Sequence, residues 1–344
     1  MQSPPSPAPP GQAPLNPAPL IDLATAYWGS ATLVAAIRLD LFTHLAAGPC
    51  TPAALAAKAG TDPVATDALL AGLAALKLVQ KEGEAFANGP LASAYLVTGQ
   101  PGCLGPALLY NGDVYPLWAE LHTVVRQGDV AKNPDGYLGD DPARTRNFVY
   151  GMHHRALGVG RAVAQVIDFQ GCTRLADIGG GPGTYSALIT GQTPGLRAEV
   201  LDLAPVVAIA SEIVASLGAA DRVRCTPFDY YRDALPGRYD AVLISGVLHR
   251  EQPPQVARMF AQVAAATEPG AVLYLSDVML DDDRTGPLFA TMFALNMRVL
   301  AHDGRCHSVA EQTAWLDTAG FDVEAVTRLP APIHYTVIRA RRRA

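Results

Sequence analysis

The sequence predicts an α/β fold: a mostly parallel, Rossmann-like sheet with an antiparallel C-terminal strand pair, preceded by a helical, winged-helix-like N-terminal domain. Three observations predict it. Asp177-Ile-Gly-Gly-Gly-Pro-Gly183 places a glycine turn between an apolar run and a helical pattern. From residue 173 onward, short apolar strands alternate with helical stretches, as in a doubly wound sheet. Before that, residues 20–150 show helical periodicity interrupted by one short hairpin.

The elements follow in order. Residues 1–19 are Pro-rich, without a basic start or an apolar stretch, and read as a disordered arm rather than a signal peptide. Residues 20–47 carry helical periodicity through Ile21, Leu23, Trp28, Leu33, Ile37 and Leu41. Thr51-Pro52 caps a helix that Gly60 ends, and Thr61-Asp-Pro63 starts another that runs to Leu76. Residues 78–87 form a hairpin turning at Glu82-Gly83. Helical stretches follow at 104–125 and 147–169, separated by a Gly/Asp/Pro-rich loop. Strands are expected at 175–178, 198–203, 222–225, 239–244, 271–278, 321–328 and 333–340, with helices at 184–193, 206–217, 253–266, 288–300 and 311–319. The expected domains are the arm 1–19, a helical domain 20–145 and a sheet domain 146–344.

Composition narrows the class. The chain has 344 residues, is 49% hydrophobic and has a net charge of −6. Five scattered cysteines contain no Cys-x-x-Cys pair, a reduced, cytoplasmic pattern. No apolar run approaches the roughly 18 residues, free of polar breaks, that a membrane span requires. The helices-then-hairpin order could serve a DNA reader, but residues 20–150 hold eight basic against twelve acidic side chains. A protein that neutralises phosphates needs the opposite balance, so no nucleic-acid partner is expected.

The glycine turn has a chemistry of its own. It is not followed by Gly-Lys-Ser/Thr, so it is not a phosphate-cradling loop. Its spacing is not Gly-x-Gly-x-x-Gly, and the acid Asp177 before it would repel a pyrophosphate while suiting an amino group. A second strand ends at Asp202-Leu203, the place for an acid that binds a ribose diol. These features favour S-adenosylmethionine (SAM) over a nicotinamide dinucleotide.

Seven stretches, in this order and at this spacing, carry a resemblance: Phe148-x-x-Gly-Met152, Asp177–Gly183, Leu201-Asp-Leu203, Phe228-Asp-Tyr-Tyr231, Leu243-Ile-Ser-Gly-Val-Leu-His249, Glu268-Pro-Gly270 and Asn296-Met297 with Gly304-Arg305. The chain resembles the class I SAM-dependent methyltransferases, and over nearly its whole length the plant- and bacterial-type small-molecule O-methyltransferases. The resemblance implies a helical domain that forms a homodimer, a SAM-binding domain, and a small-molecule methyl acceptor bound between them. It also implies that Asp177, Gly179, Gly180, Gly181 and Gly183 hold the amino-acid end of SAM, with Asp202 and Leu203 at the ribose. Asp229 and Tyr230 would hold the adenine, and Ser245 would line the same pocket.

Methyl transfer to a hydroxyl needs a base, and His249 follows an apolar strand at its carboxyl end, where ligands of such sheets bind. It matches the family's catalytic histidine. Asp277 matches the first of two acids that orient that histidine, with Asp in place of Glu. The second acid is replaced by Cys306, and Arg250-Glu251 replace the usual Asp-Trp. These departures leave room for a ring nitrogen, a carbon or a thiol as acceptor. Met152, His153, Arg250, Asn296, Met297, Leu300 and Cys306 are the remaining candidates for the acceptor pocket. His302, Cys306 and His307 are too loosely spaced for a metal site, and Asp281-Asp-Asp283 reads as a solvated turn, so no metal is expected. Three functions compete: a SAM-dependent methyltransferase for a small aromatic or heterocyclic molecule, a ligand-responsive winged-helix regulator, and a nicotinamide-dependent oxidoreductase.

Overall fold

The computed structural model describes residues 15–100, 102–128, 141–301, 303–331 and 333–344. Most of the expected Pro-rich arm and of the 127–143 loop therefore lies outside the described residues, as does His302. The chain divides into two compact units, 1–105 and 106–344.

The first unit holds α1 (Ala18–Thr25), α2 (Tyr27–Arg38), α3 (Leu41–Leu45), α4 (Pro52–Ala59), α5 (Pro63–Ala75), β1 (Val79–Glu82), β2 (Ala85–Asn88) and α6 (Pro90–Tyr95). Local chemistry sets the helix ends. The Thr51 hydroxyl accepts from the Ala54 N–H, and the Asp62 carboxylate accepts from Val64 and Ala65, so each helix start has a side-chain partner. The hairpin turns at Gly83-Glu84, one residue later than the sequence predicts, because Glu82 still pairs with Ala85. α6 was not anticipated, although Gly89-Pro90 places a proline at its first position. Leu41, Phe42, Leu55, Leu70, Leu73 and Phe86 are buried. The first two helices differ: Leu20, Ile21, Leu23, Tyr27 and Trp28 are exposed, Leu23 to 74%. One helical stretch near the N-terminus, the 21 residues Ala18–Arg38, is long and apolar enough to cross a membrane by length and composition alone.

The second unit opens with α7 (Gly105–Trp118), α8 (Leu121–Gln127) and α9 (Pro142–Val166). The sequence places the domain boundary near 145, whereas the compact units divide at 105/106. Packing explains the difference. Val114, Leu117 and Trp118 join an apolar cluster with Val278, Leu280 and Met297, and Val124 packs with Val299. Helical periodicity does not say which core a helix will join.

The sheet follows: β3 (Arg174–Ile178), α10 (Thr184–Gln192), β4 (Arg197–Asp202), α11 (Ala204–Ser216), β5 (Val223–Pro227), β6 (Tyr239–Ser245), α12 (Pro253–Ala265), β7 (Thr267–Asp277), α13 (Leu288–Leu300), α14 (Val309–Thr318), β8 (Phe321–Arg328) and β9 (Thr336–Arg342). The strand order is β5-β4-β3-β6-β7-β9-β8, with β9 antiparallel to both neighbours and the rest parallel. Alternation along the strands supplies two cores. Ala241 and Leu243 pack on one face, while Val242 and Ile244 pack on the other. The central strands are therefore apolar on both sides, as parallel strands covered by helices must be. The parallel register gathers Asp177, Asp202, Ser245 and Asp277 at the carboxyl edge of the sheet.

Candidate active site

The glycine loop leaves β3 directly after a buried carboxylate. Asp177 is 1% exposed, and its Oδ2 accepts the Ser186 hydroxyl at 2.6 Å. Its Oδ1 has no partner among the described residues. Burial pushes the Asp177 carboxyl up to about 7, a rise that the Ser186 hydroxyl opposes and the nearby Asp202 charge reinforces. An orphaned, desolvated carboxylate oxygen is a strong acceptor for a cation. The glycines keep its surroundings open. A Cβ on Gly180 would lie 2.7 Å from the Asp177 carboxyl carbon. Gly179 has φ +65°, and a Cβ there would meet the Val247 side chain at 2.5 Å. Gly183 ends the loop as the cap of α10.

Asp202 fastens this loop to the end of β4. Its two oxygens accept the Gly181 N–H at 2.8 Å and the Leu203 N–H at 2.7 Å. Burial raises its pKa against the pull of those two N–H groups. Each oxygen keeps a lone pair, so a diol can still be accepted there.

Asp229 builds a turn: its Oδ1 accepts the Tyr231 N–H, and its own N–H donates to Asp233. Tyr230 and Tyr231 converge on one side chain. Their hydroxyls donate to the two carboxylate oxygens of Glu251, at 2.7 and 2.6 Å, and that residue is 1% exposed. The structure turns it toward the tyrosines that the adenine would meet. Arg250 also acts on this side, within electrostatic reach of Asp202 and Tyr230.

The candidate base sits in a single 3₁₀ turn, Leu248–Arg250, after β6. His249 Nδ1 donates to Asp277 Oδ1 at 2.6 Å, and the carboxylate is itself held by the N–H groups of Val278 and His249. An acceptor at Nδ1 fixes the tautomer with the proton on that nitrogen and leaves Nε2 basic. The shorter Asp thus reaches the ring. The Arg305 N–H donates to the His249 carbonyl, tying the 304–306 loop to the base. Cys306, in place of the second acid, is 1% exposed, and burial pushes its thiol up, so it stays neutral.

The other predicted residues separate. Met297, Leu300 and Cys306 share one buried cluster with Val278 and Leu280, next to Asp277. A cavity of about 360 Å³ borders Leu280, Ala294, Gly304 and Cys306. Asn296 accepts from the Trp118 indole at 2.8 Å. His153, predicted for the acceptor, is buried against the Thr184 hydroxyl at 2.8 Å, at the start of the helix that the glycine loop enters. Burial, with the neighbouring His154, lowers its pKa to about 4, so it is neutral. Met152 is half-buried beside it on α9. Ser245, at the end of β6, acts on Tyr185, whose phenol is pushed up by burial.

Arg155 was missed. It is half-buried on α9, acts on Tyr185 and Tyr335, and makes no hydrogen bond or ion pair among the described residues. Its signal was present in the sequence: a cation three residues beyond the end of the Phe148-x-x-Gly-Met152 motif. The acid run 281–283 is structural: Asp281 pairs with Arg328, Asp282 accepts the Ala310 N–H and Asp283 accepts from Thr285. His307 bonds the backbone carbonyls of Leu248 and Glu251 and so braces the base turn.

Comparison with known proteins places this geometry. A model of the O-methyltransferase domain matches residues 124–322, and a model of the O-methyltransferase dimerisation domain matches residues 21–98. The second match falls on the stretch weighed as a DNA reader. The chain is 32% identical to the tetracenomycin polyketide synthesis 8-O-methyl transferase TcmO of Streptomyces glaucescens, over 92% of this chain and 95% of that one. It is 30% identical to the N,N-dimethyltransferase OxyT of Streptomyces rimosus, over 90% of this chain and 92% of that one. The structure of human N-acetylserotonin methyltransferase in complex with SAM superposes with a TM-score of 0.85 at 26% identity, covering 95% of this chain and 97% of that one.

Proposed function

The chain belongs to the O-methyltransferase family, whose members use SAM, and on that premise we propose that it methylates a hydroxyl of a small aromatic or heterocyclic molecule with His249 as general base. The observation that carries the reading is the 2.6 Å contact between His249 Nδ1 and the buried Asp277 carboxylate. It leaves Nε2 ready to take a proton while Asp277 steadies the charge that the ring acquires.

The residues present fit the cofactor. SAM supplies an electrophilic methyl group on a sulfonium. The unpartnered Asp177 Oδ1 would take its ammonium and Asp202 its ribose hydroxyls. Gly179, Gly180, Gly181 and Gly183 would admit its amino-acid end close to the backbone, with Leu203 and Ser245 lining the pocket. Tyr230, with Asp229, would face the adenine. The cation of Arg155, without a partner among the described residues, suits the SAM carboxylate that Asp177 would repel. On the acceptor side, Met152, Asn296, Met297, Leu300 and Cys306 would shape the pocket. His153 and Arg250 would act from the cofactor side instead.

The exposed apolar side chains of α1 and of the start of α2 support a homodimer formed through residues 20–125, in a winged-helix-like module. The five free cysteines favour a reducing, cytoplasmic location. Isothermal titration with SAM, followed by a methyl-transfer assay on a panel of phenols, tests the function; no binding at millimolar SAM rejects it. Light scattering tests the dimer, and a monomer mass rejects it. A second reading, N-methylation, is favoured by the likeness to OxyT and by the missing second acid at Cys306. Product analysis by ¹³C-methyl NMR separates the two, since O- and N-methyl carbons resonate apart.

A further inference from the structure

Four rings form a line from the base to the surface of the second unit. On α13, Phe289, Phe293 and Met297 are spaced by four and lie along one helix face. Phe293 meets His249 edge to face, with centroids 5.0 Å apart and planes at 78°. Phe289 and Phe293 are nearly parallel, at 10° and 6.1 Å. His334, in the loop between β8 and β9, stacks on Phe289 at 4.2 Å, again at 10°.

Two features single this line out from ordinary packing. Its outer end is apolar and uncovered: Leu288 is 76% exposed and Phe289 37%, with Met292 exposed beside them. Large apolar side chains grouped on a surface mark a binding site more often than scattered ones do. His334 also holds φ at +58°, a conformation that residues other than glycine rarely take and that collects at ligand-binding positions. That backbone presents the imidazole flat against Phe289.

We propose that this ladder is the track of the methyl acceptor, and that the acceptor is a planar, fused-ring aromatic alcohol of at least two rings. Its reacting hydroxyl lies at His249 and its distal ring against Phe289. A single ring that holds its hydroxyl at His249 packs on Phe293, 5.0 Å from the base; Phe289 lies a further 6.1 Å out, and each fused ring extends the contact toward it. Parallel or edge-on contact with flat rings is what their quadrupoles favour. The inference rests on the methyl-transfer reading above and deepens it.

The test uses the full-length enzyme saturated with S-adenosylhomocysteine and three probes: phenol, 1-naphthol and 1-hydroxyanthracene. Titration calorimetry should show affinity rising about 2- to 10-fold with each added ring. In Phe289→Leu and in His334→Gly, which keeps the unusual φ without strain, phenol affinity should hold within about twofold while the gain from added rings disappears. Equal affinity for all three probes, a gain that survives in both variants, or no binding of any probe overturns the proposal. So does a change in subunit mass in Phe289→Leu, which would make the patch a contact between copies. The S-adenosylhomocysteine titration reads the underlying function separately: tight binding without a ring-number preference sinks the ladder alone, whereas no binding sinks both.

Discussion

The two ends of the proposed reaction site are built differently. The cofactor end comes from strand ends and the turns that follow them: Asp177 and its glycines, Asp202, Tyr230. Each lies within a few residues of a strand and is held locally, Asp202 by two backbone N–H groups, Asp177 by the Ser186 hydroxyl and Tyr230 by Glu251. The acceptor end comes from α9, α13, the 304–306 loop and the 3₁₀ turn of His249, all distant in sequence. Its fixed point is the His249–Asp277 pair, and the rest is side-chain packing. A site of this design keeps one cofactor while its acceptor changes, because packing residues can be exchanged without disturbing strand ends.

If the two ends are separable, substitutions should act on one and spare the other. The largest effect belongs to the base. His249→Ala should lower turnover on a phenolic acceptor by roughly 10²–10⁴-fold while SAM affinity holds within about twofold. Asp277→Asn should follow it, because the amide no longer dictates which imidazole nitrogen carries the proton. Turnover that is unchanged in His249→Ala, measured by initial rates at saturating SAM, would show that the acceptor needs no base and would favour the N-methyl reading.

The matching test at the cofactor end is Asp177→Asn. Losing a charge-assisted hydrogen bond to an ammonium should weaken SAM binding by about 10- to 100-fold in calorimetry. Acceptor affinity, measured on the free enzyme, should not move. A shared loss would mean that the two ends form one folding unit rather than two sites.

Much of the geometry at the proposed cofactor end was legible in the sequence because its signals are local. A glycine is required where a Cβ would collide with the Asp177 carboxyl, and that requirement appears as letters beside one another. The mostly parallel sheet and its antiparallel closing pair also followed from local alternation, whereas the strand order did not. The acceptor end was legible only at His249 and Asp277. His153 was assigned to the acceptor but points to Thr184, because its side-chain direction depends on how α9 packs on α10. Phe289 and His334 are 45 positions apart in the numbering, and no pattern in the sequence announces that they stack. Glu251 looked like a lost aromatic; only the fold shows that two tyrosine hydroxyls replace the missing packing with hydrogen bonds.

The titration of Asp177 gives a smaller, physical handle on the same contrast. Its folded pKa of about 7 lies above the ordinary 3.8. A raised carboxyl pKa costs no stability below the unfolded value and its full cost above the folded one. The protein without cofactor should therefore lose stability as pH rises from about 4 to about 7, relative to Asp177→Asn. His153 acts with the opposite sign, since its lowered pKa costs stability as pH falls from 6.5 toward 4, and the comparison with the variant cancels it. The ammonium of SAM should restore the charged carboxylate, so SAM should raise the Tm more at pH 8 than at pH 5. Differential scanning calorimetry at both pH values checks this, and equal increments would show that Asp177 does not face the ammonium.

The smallest effect should come where the two ends touch. Glu251 holds the Tyr230 and Tyr231 hydroxyls through its side chain, while its backbone carbonyl, bonded by His307, closes the turn that carries His249. Glu251→Gln keeps the shape but gives one tyrosine hydroxyl an NH₂ in place of an acceptor oxygen. One tyrosine must then turn or lose its bond, and the adenine wall loosens. The expected result is a rise of about 3- to 10-fold in the KM for SAM, the size of one neutral hydrogen bond lost, with kcat within about twofold. Tyr231→Phe removes one of the two bonds without disturbing the turn and should give the lower part of that range. The division between the ends predicts this split between KM and kcat. If kcat falls with KM in Glu251→Gln but not in Tyr231→Phe, the carboxylate also sets the base turn, and the two ends meet at this residue.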